Sequence, residues 1–173
     1  MELNDSTLFR PAFASRLAAS RRVLIAGAGG GFDVFAGLPL FFALRSAGKH
    51  VYLANLTFTY LGGTDAQFLG PALWRTTHET SGEAKYFPEK YLGEWLHAQS
   101  LPSHVYCFDK VGVAPLHDAY RQLVDLLNLD TVVLVDGGTD ILMRGDETSL
   151  GSPAEDMTSL AAVRELDIHT KLI

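Results

Sequence analysis

The chain holds one cysteine, Cys107, in 173 residues. A lone thiol makes no internal disulfide and no zinc or iron–sulfur cluster, and it fits a reducing, cytoplasmic setting. Its neighbours Val105, Tyr106 and Phe108 mark it as a buried structural thiol. Long hydrophobic runs are missing too: none reaches the roughly 18–20 residues a membrane-spanning helix needs. Positive charge is scarce, with 14 Lys and Arg against 20 Asp and Glu and a net charge of −6. That balance gives no electrostatic ground for nucleic acid or an anionic membrane as partner. The first residues do not read as a signal peptide: Glu2 and Asp5 stand where a basic n-region would, with no apolar h-region behind them. There is no G-x-S-x-G elbow, no H-E-x-x-H and no Gly-Lys-Ser/Thr phosphate loop.

What is present is an ordinary globular composition, 47% hydrophobic and 20% charged, long enough for one domain with a real core. Residues 1–20 read as an amphipathic helix, with Leu8, Phe9, Phe13 and Leu17 on one face. Near-continuous apolar runs at 22–26, 50–58, 103–109 and 131–136 read as buried strands. Helices fall between them: one through Leu40, Phe41 and Leu44 closed by Gly48, one opened by Pro115, one opened by Pro153. The alternation predicts a Rossmann-like three-layer α/β/α fold with a mostly parallel sheet over residues 1–173. Residues 61–102 form an insert with one helix from Pro88, the rest a loop or flap that includes Trp74 to His78. A last run, Lys171 to Ile173, begins where a fifth strand belongs and is too short for one. The expectation is therefore the N-terminal part of a longer fold, completed by self-association or by a separately encoded second half.

The first strand runs into Gly27-Ala28-Gly29-Gly30-Gly31-Phe32-Asp33, where a doubly wound fold keeps its ligand loop. Glycines there let backbone N–H groups approach a phosphate. The third glycine of the dinucleotide fingerprint is replaced by Phe32, and towards the end of the second strand Leu53-Ala54-Asn55-Leu56 stands where an acid would meet a ribose. Nicotinamide cofactors and methyl donors are disfavoured accordingly, although Asn55 could bond a hydroxyl. A carboxylate at Asp33 beside phosphate is repulsive unless a cation lies between them. Pro39 constrains the following helix: a start near Gly37 or Leu38 puts the proline in the first turn, whereas a start at Asp33 forces a kink.

The form G-G-x-D occurs at Asp33, at Asp65 and at Asp140. Asp65 reads as a structural turn, Asp33 and Asp140 as functional. Asp136 ends a buried strand, followed by Gly137, Gly138, Thr139, Asp140, Arg144, Asp146 and Glu147. Hard oxygen ligands of this kind suit Mg²⁺ together with substrate phosphates. The same carboxylates could instead hold sugar hydroxyls, or Asp140 could serve as a general base. Asp33, Asp136 and Asp140 are the candidate metal ligands, and Asp140 is also the candidate catalytic group. Gly27, Gly29, Gly30, Gly31, Asp33, Asn55, Gly137, Gly138, Thr139 and Arg144 are the candidate ligand-binding residues. Of six histidines only His78, beside Glu79, is a candidate acid or base.

The stretches GAGGGFDVFAGLPL, YFPE at 86–89, and DGGTDILMRGDE followed by Gly151-Ser-Pro-Ala-Glu-Asp-Met resemble the prokaryotic domain-of-unknown-function 1152 family from about Arg21 onward. The resemblance implies a Rossmann-like fold and a soluble protein whose relatives continue further; it brings no activity and no site residues. The function expected from the residues is binding of a nucleotide or sugar phosphate, with Mg²⁺-assisted transfer or hydrolysis. The alternatives are a non-catalytic sensor or assembly domain using the same crevice, and metal-free enzymology on a polar metabolite.

Overall fold

The computed structural model describes residues 12–82, 85–139, 142–144, 146 and 153–172. Seven strands form one sheet: β1 (Arg22–Gly27), β2 (His50–Thr57), β3 (Gln67–Gly70), β4 (Leu73–Thr76), β5 (Val105–Asp109), β6 (Thr131–Val135) and β7 (Thr170–Leu172). Their order is β3-β4-β5-β2-β1-β6-β7. The five from β5 to β7 are parallel, and β3 and β4 add an antiparallel edge. The central parallel strands β1, β2, β5 and β6 are almost wholly apolar in their buried stretches because both of their faces are covered.

Two hydrophobic layers do the covering. On one face α1 (Ala12–Ala18), α3 (Leu38–Ser46) and α4 (Pro88–Ala98) place Leu17, Phe41, Leu44, Leu92 and Leu96 against Ile25, Leu53 and Val105. On the other, α5 (Val113–Leu127) and α6 (Ala154–Arg164) place Leu116, Tyr120, Leu123, Ala162 and Val163 against Leu24, Ala54, Phe108 and Leu134. The three-layer α/β/α reading of the sequence is what the structure has. Cys107 is fully buried beside Leu61 and Phe87, and burial pushes its thiol pKa up.

The proline constraint resolves into a broken helix. A short α2 (Asp33–Ala36) stops at Gly37, and α3 restarts with Pro39 in its first turn, where a missing N–H and fixed φ do no harm. A Cβ at Gly37 would meet the Ile25 side chain, so the break also lets the chain pass close over the sheet. Gly48, at φ +77°, is the left-handed residue past the end of α3.

The insert is not all loop. Gln67–Gly70 and Leu73–Thr76 pair as an antiparallel ribbon, and β4 continues onto β5 through Leu73 to Phe108 and Thr76 to Val105. Four-residue strands without alternation carry no periodic signal; the edge of β5 supplies the hydrogen-bond partners of β4, and β4 those of β3. β7 lies parallel to β6, with Thr131 opposite Thr170.

Candidate functional site

The direction of the crossovers changes between β1 and β6. The helices after β1 and β2 lie on one face of the sheet, and those after β5 and β6 lie on the other. The carboxyl ends of β1 and β6 therefore open a crevice at the topological switch point, where ligands of open α/β sheets bind. A cleft of about 390 Å³ occupies this place, lined by the Gly29–Asp33 loop, Phe58, Tyr86, Asp136, Gly138, Glu155 and Asp156.

Asp33, Asp136 and Asp156 converge there, with one carboxylate oxygen from each within 4.8 Å of the others. Asp33 opens α2 just beyond β1, and Asp136 follows β6 directly. Asp156 comes from the first turn of α6 and is only 2% exposed. An acid at that helical position commonly bonds back to the N–H of the N-cap residue. Here the N-cap is Pro153, which has no N–H, so that structural use is closed.

The glycine loop is shaped by this trio. Gly29 N donates to Asp33 Oδ2 at 2.7 Å, and the amides of Gly137 and Gly30 also favour that carboxylate. Burial outweighs them, so the Asp33 pKa is raised, with the neighbouring Asp136 charge adding to the rise. A Cβ at Gly29 would lie 2.6 Å from an Asp156 carboxylate oxygen. The loop thus bends around carboxylates, and its Gly29 amide is committed to one of them. Asp136 Oδ1 accepts from Gly138 N at 2.6 Å, a local turn within the second glycine loop.

Asn55 and Glu89 form the layer beneath. Asn55 Nδ2 donates to Gly31 O at 2.8 Å and to Glu89 Oε1 at 2.7 Å, and both residues are fully buried. Asn55 thereby ties β2 and α4 to the glycine turn instead of facing the cleft. Burial raises the Glu89 pKa, opposed by the Asn55 amide, its own backbone N–H and the Thr57 hydroxyl. Among the described residues, neither Asn55 Oδ1 nor Glu89 Oε2 finds a hydrogen-bond partner.

Of the other candidates, Gly27 and Gly137 contact the site: a Cβ at Gly27 would strike Asn55, and one at Gly137 would lie 3.1 Å from Asp33 Oδ1. Thr139 and Arg144 are exposed and do not line the cleft. Asp140, the candidate base and metal ligand, lies outside the described residues, as does Glu147. Asp65 is a clasp of the insert, accepting from Ser81 N at 2.7 Å and Ser81 Oγ at 2.6 Å, which lowers its pKa. His78 sits away from the cleft, bonded to Ser103 Oγ and stacked on His97 at 3.6 Å.

Sequence reasoning missed Asp156, Glu155, Tyr86 and Glu89. Asp156 is 20 residues beyond Asp136 and looks like a routine acid at a helix start. Its signal was indirect: Tyr86-Phe-Pro-Glu89 and Ala154-Glu-Asp-Met157 both contribute to the cleft or its floor.

Fold and cleft together define a Rossmann-type α/β protein with an acidic, glycine-walled crevice at its switch point. The sequence profile of the family described as "Protein of unknown function (DUF1152)" matches residues 70–173, and the chain belongs to that family. The matched span includes Tyr86, Glu89, Asp136 and Asp156; the first glycine loop and Asp33 precede it. No curated protein matches the chain significantly. No helix among the described residues is long and apolar enough to cross a membrane.

Proposed function

We propose that the cleft holds a divalent cation, Mg²⁺, on Asp33, Asp136 and Asp156, and through it binds a phosphorylated small molecule for metal-assisted transfer or hydrolysis. The convergence of the three carboxylates at the switch point carries this reading. Opposite oxygens around Mg²⁺ lie about 4.1 Å apart, and around Ca²⁺ about 4.8 Å. The trio therefore spans either ion with little movement. Three like charges in a half-buried crevice repel one another until a cation neutralises them. The same cation gives phosphate its route into an acidic cleft, since the Gly29 amide already serves Asp33. Bound there, the metal would polarise a phosphoryl oxygen and orient the leaving group.

Thermal melting of the chain in EDTA and in Mg²⁺, with and without a panel of nucleotides and sugar phosphates, tests the proposal. The expected result is a rise in melting temperature with Mg²⁺, and a further rise with a phosphorylated compound only when Mg²⁺ is present. A ligand response indifferent to EDTA would replace the reading with metal-free binding. No response to Mg²⁺ or Ca²⁺ at millimolar concentration would end it.

A further inference from the structure

We infer that the phosphorylated ligand is a nucleotide, its base stacked on an aromatic wall made by Phe32, Phe58 and Tyr86. This rests on the cation site proposed above and adds the chemical class of the ligand. An aromatic ring left in water forgoes the gain from burial that builds cores. Phe32, Phe58 and Tyr86 are 56%, 49% and 45% exposed, and belong to none of the three hydrophobic clusters. All three line the acidic cleft. Phe42 and Trp95, also half-exposed, meet each other edge to face on α3 and α4 instead.

The wall is held in place. Phe32 and Tyr86 meet edge to face at 5.7 Å, and Phe35 backs Phe32 at 5.4 Å. Both rings beside the turn depend on its glycines. A Cβ at Gly30 would lie 3.0 Å from the Phe58 ring, and one at Gly31 2.7 Å from the Tyr86 hydroxyl, while Gly29 faces the Asp156 carboxylate. Gly29 and Gly31 are two residues apart, so at most about 7 Å of backbone separates the acidic half of the cleft from the aromatic half. A ligand filling both halves carries cation-bound charge at one end and a flat π face a short distance away. A nucleotide has that form; a sugar phosphate or an inorganic polyphosphate leaves the aromatic half empty. Lys110 stands at the seam, its ammonium 5.6 Å from the Phe58 ring centre and paired with Glu155.

Calorimetric titration of the full chain in saturating Mg²⁺ compares the four common nucleoside diphosphates with pyrophosphate and ribose 5-phosphate. At least one nucleoside diphosphate should bind at least 10-fold more tightly than pyrophosphate. Phe32→Leu and Phe58→Leu, confirmed folded by their melting curves, should each weaken it by about 5- to 100-fold, the usual range for loss of a stacking ring. Their pyrophosphate affinity should not change. Equal binding of pyrophosphate and every nucleotide, or leucine variants that lose nothing, would overturn the nucleotide inference and leave the cation site standing. Nucleotide binding that survives EDTA but falls in the leucine variants would keep the stacking wall and overturn the cation site. If no nucleotide binds in Mg²⁺, the inference falls.

Discussion

Replacing Asp156 by asparagine separates the two demands on a carboxylate in this cleft, because it removes one charge while keeping shape and one carbonyl oxygen. With 4.8 Å as the outer separation between the trio's oxygens, each pair of full charges repels by about 1 kcal/mol at the dielectric of water. At an effective dielectric of 20 the repulsion is about 3.5 kcal/mol. Asp33 and Asp136 are only half-buried, which favours the lower figure. Asp156 also loses the favourable field of the α6 N-terminus, about 0.3–1 kcal/mol. The net gain in EDTA is then about 1 kcal/mol. For a chain of this size that raises the melting temperature by roughly 2–4 °C. In Mg²⁺ at 100 times its dissociation constant the native protein gains about 2.7 kcal/mol, and the variant gains little. Their order should therefore cross: Asp156→Asn melts above the native chain in EDTA and below it in saturating Mg²⁺. Differential scanning fluorimetry on both proteins in both buffers reads this directly. A variant that melts lower in both, with the same Mg²⁺ increment as the native chain, would refute the reasoning.

Three more outcomes follow from the same geometry. Asn55→Ala removes the donor of both Gly31 O and Glu89 Oε1; chemical denaturation should show a loss of about 2–4 kcal/mol, the sum for two buried acceptors left unsatisfied. Glu89 has a folded pKa raised above its ordinary 4.5 by burial, so its stabilising contribution is complete below that value and is lost as pH rises through the folded pKa. Glu89→Gln should flatten this fall and be the more stable protein at neutral pH, by about 1–3 kcal/mol; equal stability–pH slopes for the two proteins would contradict it. Asp65→Asn removes an exposed clasp on Ser81 and should leave any Mg²⁺ response unchanged, since a shared G-G-x-D form does not bring Asp65 to the cleft. Its lowered pKa predicts that the contribution of that clasp is present above 3.8 and is lost as pH falls through the folded value.

The sequence by itself determined the parallel core of this protein. Four strands buried on both faces must be written as nearly continuous apolar runs, and helices that cover them must be amphipathic, so β1, β2, β5, β6 and their connections were legible from local pattern. Pro39, Pro88 and Pro153 marked helix starts because a proline's fixed φ and missing N–H are harmless only there. Tertiary structure alone decided the β3–β4 ribbon, whose second strand takes its pairing from the edge of β5. It also decided which acids meet. Asp33 and Asp136 are flagged by the glycines beside them, but Asp156 looks like any acid at a helix start until α6 docks beside β6 and Ser159 bonds to Ala28 O. Asn55 reads as a ligand-facing residue because it lies near the carboxyl end of a central strand, yet packing turned its amide inward, onto Gly31 and Glu89. The physical reason is common to these cases. A strand or helix is specified by neighbours a few residues away, whereas a cluster of charges exists only where loops far apart in the chain are forced to share one end of a sheet.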